Sequence, residues 1–299
     1  MPHYDKALFL YNGNAGASDM EQKLTQTLPV LAKAIRELTV IQTTSIADAK
    51  KACVTFADQI DLLIILGGDG TVHACINSIA ALENRPVVAI LPGGTSNDFS
   101  RMLQMPQNLK QAANAIINGE IVDIDLGKSD DNYFLNFWGI GLVSEASQNI
   151  NEDQKNNLGV LSYFMSTIRS VNQAEPFRYE VHAGGCKYAG EAIMILVLNG
   201  KFIGTRELPI PSIAPNDGKL DVLIVKNSTL ASFRELLSMS NPNIDAEQLN
   251  ELDYFQASDL KVTTDSHMDI DTDGEISERT PAEIRVLPGH IRMVQGSEA

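Results

Sequence analysis

The chain has 299 residues, 44% of them hydrophobic and 20% charged, and a formal net charge of −15. This length suits two domains or one large one around a substantial core, and the composition is that of a globular protein. The acidic balance excludes the basic footprint that nucleic-acid binding needs and opposes strong electrostatic attachment to anionic lipid. In chain order, Ala7–Tyr11 reads as a strand running into the loop Asn12-Gly13-Asn14-Ala15-Gly16. Met20, Leu24, Leu28, Leu31, Ile35 and Leu38 recur at helical intervals and form one amphipathic stripe, with Pro29 placed to kink or split it. Thr39–Gln42 reads as a strand and Ile46–Phe56 as a helix. The apolar run Leu62–Leu66 ends in Gly67-Gly68-Asp69-Gly70-Thr71, and Val87–Leu91 ends in Pro92-Gly93-Gly94-Thr95-Ser96-Asn97-Asp98-Phe99. Helical patterns also fit Thr71–Leu82 and Leu109–Asn118. Strand–helix alternation of this kind predicts a parallel sheet covered on both faces.

After Lys128 the periodicity changes. Phe134–Val143, Phe177–His182, Ile193–Asn199, Leu220–Val225, Leu260–Thr263 and Ile284–Leu287 read as strands separated by Gly, Pro, Asn and Asp. The pattern predicts an antiparallel β-sandwich. One helix, Ser228–Met239, interrupts it with Leu230, Phe233, Leu236 and Leu237 on one face, and the acidic Asn243–Asp253 reads as a solvated loop or short helix. The fold class is therefore α/β, an N-terminal doubly wound parallel-sheet domain (1–127) followed by a C-terminal antiparallel β-sandwich domain (128–289). Cys53, Cys75 and Cys186 are odd in number and widely spaced, so they exclude a disulfide framework and a zinc pattern and read as buried free thiols in a reducing cytoplasm. Apolar runs such as Ile193–Leu198 are too short to span a bilayer, and no basic-then-apolar amino-terminal stretch marks a signal peptide. The expected location is cytoplasmic.

Three strand ends carrying Gly together with amide, hydroxyl or carboxylate groups point to a ligand at the carboxyl edge of the sheet. Glycine admits φ > 0 and close approach of backbone N–H groups, and a following helix start adds partial positive charge, which together suit phosphate. A glycine-rich strand-to-helix turn would share the sequence of any one of these loops, but not readily of all three. Asp69 is unsuited to an anion and suited to the metal that accompanies a nucleotide. The phosphate-cradle segments are Asn12–Gly16, Gly67–His73 and Gly94–Thr95, the second including Gly68, Gly70, Thr71, Val72 and His73. Asp269-Ile270-Asp271-Thr272-Asp273-Gly274-Glu275 places three carboxylates at alternate positions, which in a strand share one face and need a cation or substrate nearby. An exposed hairpin tip is the other reading, since Asp-Gly favours turns.

The segments at 67–71 and 94–99 and the late Asp273-Gly274-Glu275 resemble, in order and spacing over nearly the whole chain, the motifs of the diacylglycerol kinase catalytic-domain family. Soluble bacterial lipid kinases and sphingosine kinases belong to it. The resemblance implies an ATP-dependent lipid kinase that uses Mg²⁺ and reaches a membrane lipid substrate by transient peripheral contact. Asn12, Asn14, Thr44, Gly67, Gly70, Thr71 and Thr95 then line the ATP site, Thr44 being equally readable as a helix-cap or turn hydroxyl. Asp273 becomes the general base with Glu275 in support, and Asp69, Asp98 and Asp125 match carboxylates that organise metal and water. Ala214, Asp217 and Lys219 would hold a separate structural cation through one carboxylate and two carbonyls. In that family the last strand returns to the first domain, so Ile291–Val294, within 290–299, is expected to pack there.

The match weakens at Ala74, where the family often has Glu, and at Gly13, Ala15 and Ala17, which replace Pro, Ser and a basic residue. The segment Trp138–Ser144 lacks an Asp that many members have. The size of the chain favours diacylglycerol as acceptor, giving phosphatidic acid. A sphingoid base, a polyprenol or phosphatidylglycerol remains open, as does a catalytically weak lipid- or nucleotide-binding protein. A homodimer is compatible with the sequence.

Overall fold

The computed structural model describes residues 4–13, 19–144, 175–241 and 249–296. It divides into two compact units, residues 1–124 with 289–299 and residues 125–288.

The first unit is built from β1 (Lys6–Asn12), α1 (Met20–Ala34), β2 (Glu37–Thr43), α2 (Ile46–Phe56), β3 (Leu62–Gly67), α3 (Asp69–Ile79), β4 (Val87–Pro92), α4 (Asp98–Met102) and α5 (Leu109–Asn118), and β5 (Glu120–Ser129) begins within it. The strands run parallel in the order β2-β1-β3-β4. The closing residues of the last strand of the chain, from Gly289 on, lie parallel beside β4, with Met293 opposite Val88. Helices cover both faces, α1 packing on α5 and α2 on α3. That is why Leu62–Leu66 and Val87–Leu91 are uninterrupted apolar runs: all ten residues are buried. Pro29 does not split α1. Thr25, whose carbonyl loses an N–H partner to the proline, is exposed, while Thr27 and Leu31 anchor the helix at 0% exposure.

The second unit continues β5 and adds β6 (Asn132–Phe134), β7 (Phe137–Gly141), β8 (Phe177–Ala183), β9 (Cys186–Ala192), β10 (Met194–Leu198), β11 (Phe202–Ile203), β12 (Arg206–Glu207) and β13 (Leu220–Val225). After α6 (Leu230–Ser238) come β14 (Leu252–Ala257), β15 (Asp259–Thr264), β16 (Asp269–Thr272), β17 (Glu275–Arg279) and the first half of β18 (Ala282–Gln295). One antiparallel sheet has the order β14-β13-β10-β7-β16-β17, and β18, β15, β8 and β9 form the facing layer. Phe134, Trp138, Ile195, Val197, Val222, Val262 and Ile284 fill the space between them. The outer face of the first sheet is buried as well, through Leu196, Leu198 and Leu223 packing with Leu236 of α6. Burial on both faces explains the continuous runs Met194–Leu198 and Leu220–Val225.

Four expectations are corrected. Phe134–Val143 is two strands, because the N–H groups of Leu135, Asn136 and Phe137 turn to a side-chain carboxylate. On α6 only Phe233 and Leu236 face the core, whereas Leu230 and Leu237 are exposed. Cys53 and Cys75 are buried, but Cys186 on the β8–β9 hairpin is exposed. The acidic stretch lies partly outside the described residues, and its end, Leu252-Asp253, is strand. Among the described residues no helix is long and apolar enough to cross a membrane.

Candidate functional site

In the first unit, the register places Gly67, the last residue of β3, opposite Pro92, the last of β4. The two glycine loops thus leave the sheet side by side. Gly93 N donates to Gly67 O at 2.9 Å. A Cβ on Gly94 would stand 2.4 Å from Gly68 Cα, and one on Gly93 3.0 Å from Gly67 N. None of Gly67, Gly68, Gly70, Gly93 or Gly94 has positive φ. Glycine is required here by the close approach of two backbones, not by the left-handed conformation the sequence suggested. Gly68 caps α3, and its carbonyl accepts from Thr71 and Val72. The N–H groups of Asp69 and Gly70 precede the first intrahelical bond and are the donors a helix start offers an anion.

Asp69 Oδ1 accepts from Phe99 N at 3.5 Å, at the start of α4. Burial first, and then the neighbouring Asp98 charge, push the Asp69 carboxyl up to about 6 against the opposing pull of the Phe99, Asp98 and Asn97 N–H groups. Asp98 is itself buried. Two carboxylates held together at the mouth of two glycine loops fit a hard divalent cation that takes its remaining ligands from water and phosphate.

The loop between them is shaped by Asn97, to which the sequence motifs assign no role. Asn97 is left-handed, with φ 52°, and its amide closes on Gly94 twice: Nδ2 donates to Gly94 O and Oδ1 accepts from Gly94 N, both at 2.9 Å. Arg101 Nε donates to Ser96 O at 3.0 Å, and Lys23 Nζ reaches from α1 to Gly93 O at 3.1 Å. Thr95 is exposed on this loop. His73 is tied within α3 to Asn77.

At the β1 end, Gly13 N donates to Thr43 O at 3.0 Å, and Asn12 closes the strand. Asn14, Ala15 and Gly16 lie outside the described residues. A groove of about 540 Å³ beside Gly13 is lined by Tyr11, Met20, Leu24, Leu28 and Pro29, with Glu21, Thr25 and Gln42 as its polar groups. The cap of α2 is Ser45, whose side chain accepts from Asp48 N, while Thr44 N donates to Asp48 Oδ2.

In the second unit, the three alternate carboxylates do not share a face. A bulge falls between Ile270 and Asp271, and Asp273 leaves the strand with φ 55° to form a turn with Gly274. Asp269 pairs with Arg279, and buried Asp271 accepts from Gly274 N at 2.7 Å, fixing that turn. Asp273 Oδ2 accepts from Leu135 N at 2.8 Å, and Oδ1 from Asn136 N at 2.8 Å and Phe137 N at 2.9 Å. The Asp-Gly pair is thus a hairpin tip, and the turn presents a carboxylate gripped by backbone donors of another segment. The grip comes from those N–H groups; Glu275 is exposed at the start of β17.

That gripping segment is held in turn by Asn199, a second residue missed from sequence. Its Nδ2 donates to Leu135 O at 2.8 Å and Asp125 O at 3.0 Å, while Asn199 N and Gly200 N both donate to Asn136 O. Asn136 Oδ1 and Asn199 Oδ1 are buried and accept no hydrogen bond among the described residues. Asp125 is buried, and its Oδ2 accepts from Gly218 N at 2.7 Å in the turn that carries Ala214, Asp217 and Lys219. There Asp217 Oδ1 accepts from Lys219 N at 3.0 Å. No group of three or more His, Cys, Asp or Glu able to hold a metal occurs among the described residues, so a cation in this turn would depend on carbonyls and water.

Residues 6–129 match the family model described as the diacylglycerol kinase catalytic domain, and residues 139–295 the one described as the YegS C-terminal NAD kinase beta sandwich-like domain. Relatives from Staphylococcus aureus strains JH9 and N315, each named a "Putative lipid kinase", are 30% identical over 296 residues, covering 97% of this chain and 97% of theirs. A crystal structure from Bacillus anthracis str. Sterne, described as "a putative diacylglycerol kinase", is 40% identical with a TM-score of 0.90, covering 98% of this chain and 97% of that one. A second, described as a diacylglycerol kinase from the same source, is 39% identical with a TM-score of 0.87, covering 99% and 98%.

Proposed function

Because the chain belongs to the diacylglycerol kinase catalytic-domain family, a family of lipid kinases, we propose that it transfers the γ-phosphoryl group of ATP to a lipid hydroxyl, diacylglycerol being the leading acceptor. The observation that carries this reading is the Asp69–Asp98 pair at the junction of the two glycine loops. It concentrates negative charge where a kinase needs a metal-bound phosphate, and the carboxyl of Asp69 is held up by burial and then by that charge. Asp69 and Asp98 would hold Mg²⁺, which when bound offsets charge on the transferring phosphoryl group. The N–H groups of Asp69 and Gly70, with the backbone of Gly94 and Thr95, would orient the phosphates. The groove at Tyr11, Leu24 and Leu28, with Glu21 and Gln42 as polar groups, would take the nucleobase. Asp273, immobilised through both carboxylate oxygens, would accept the proton of the acceptor hydroxyl at one of them. Asn199 and Asp271 keep it in place.

Transfer of ³²P from ATP to a lipid panel in mixed micelles tests the proposal, with wild type compared against Asp273→Asn. Mg²⁺-dependent labelling of diacylglycerol that falls by about a hundredfold or more in the variant is expected. Labelling of a sphingoid base, polyprenol or phosphatidylglycerol instead would move the acceptor without changing the chemistry. ATP binding with no lipid labelled would leave a binding protein.

A further inference from the structure

From Ala7 to Gln22 the sequence holds no lysine or arginine, and neither do the glycine loops at 67–73 and 92–98. Among the described residues two cations reach those loops from outside them, Arg101 of α4 at Ser96 O and Lys23, near the start of α1. Its Nζ donates to Gly93 O at 3.1 Å, and its side chain is only 19% exposed. Gly93 is the residue whose N–H is bonded to Gly67 O, so the ammonium stands where the two loops touch. Arg101, by comparison, spends its Nε on Ser96 O, in the loop that leads into its own helix.

An ammonium has three donors, and a neutral carbonyl takes one of them without compensating the charge. Among the described residues, the carboxylate in ion-pair range is Asp19 at 3.9 Å, which is 57% exposed and beyond hydrogen-bond length. The ammonium keeps donors beyond the one that Gly93 O takes, so the arrangement suits an anion that arrives from outside.

We infer that Lys23 is the protein's own cation for the phosphates of a bound nucleotide, supplied from α1 to glycine loops that contain none. The inference rests on the nucleotide reading above and names the residue that meets the polyphosphate. Its ammonium keeps Gly93 O with one N–H and gives the others to phosphate oxygens as point-charge donors.

Isothermal titration of the full chain with ATP, ADP and adenosine tests this, comparing wild type with Lys23→Gln, Lys23→Met and Lys23→Arg. Glutamine and methionine both remove the charge, glutamine keeping an N–H donor on a side chain one bond shorter, and arginine keeps charge and reach. The expected result is ATP and ADP affinity about ten- to a hundredfold lower in Lys23→Gln and Lys23→Met, adenosine affinity unchanged, and most of the loss recovered in Lys23→Arg. Unchanged ATP affinity in Lys23→Gln would show a tether only and overturn the inference. A matching loss for adenosine would show that the loop had deformed, and would overturn it equally. A wild-type chain that binds neither ATP nor ADP would overturn the nucleotide reading itself, and this inference with it.

Discussion

Asp69 ionises against resistance, since burial and the Asp98 charge raise its carboxyl from 3.8 to about 6. A carboxyl raised in the folded state binds its proton more tightly there than in the unfolded chain. Stability from this group is therefore present at low pH, falls as pH rises from 3.8 to about 6, and stays lost above. A divalent cation held as proposed by Asp69 and Asp98 would remove that penalty. Mg²⁺ should raise the melting temperature at about pH 7.5 and hardly at about pH 5, and Asp69→Asn should stabilise the metal-free protein at the higher pH while abolishing the Mg²⁺ effect. An equal Mg²⁺ effect in Asp69→Asn would place the ion elsewhere. Asn97 allows a separate test. Asn97→Ala loses two hydrogen bonds to Gly94 and keeps a left-handed backbone, together about 2–4 kcal/mol, whereas Asn97→Gly loses only the bonds. Chemical denaturation should therefore rank Ala below Gly; the reverse order would mean that the turn is not held in this conformation. The carboxylates at 69, 98 and 273 were legible because short motifs display them. Asn97 had a weak signal, an amide three residues after a glycine at a helix start, and Asn199 had none.

At the scale of elements, the β3 and β4 loops act as one object because their glycines interlock. Gly94→Ala puts a methyl 2.4 Å from Gly68 Cα, where only backbone can move, so the loops must part. Loss of about 1–3 kcal/mol of stability together with ATP affinity is expected. Gly184→Ala is the control: its φ is 55° but nothing lies within 4 Å, so it should cost about 1–2 kcal/mol and leave ATP binding intact. Equal ATP affinity in the two variants would show that the loop junction is not the phosphate site. Helix and strand positions were largely legible here: α2 and α5 match the periodicity residue for residue, as does β13. The break in Phe134–Val143 was not, because it is made by Asp273, more than a hundred residues away, drawing three N–H groups out of the ladder.

At the scale of the whole molecule, the charge of −15 would set how the proposed lipid kinase meets a lipid surface. If repulsion between the chain and anionic lipid limits contact, transfer to diacylglycerol in anionic micelles should rise with salt up to about 0.15 M, where the screening length is about 8 Å. A fall with salt would reveal a local basic docking face instead. By itself the sequence determined the α/β-then-sandwich plan, the family, and the loops proposed to carry the chemistry, because hydrophobic period and glycine-bounded motifs are local properties. Only the tertiary structure decided why those glycines are needed, where the three late carboxylates point, and which backbone groups Asn97, Asn199 and Lys23 hold. Each of these depends on strand register and on backbone groups brought together from distant parts of the chain, which no local pattern encodes.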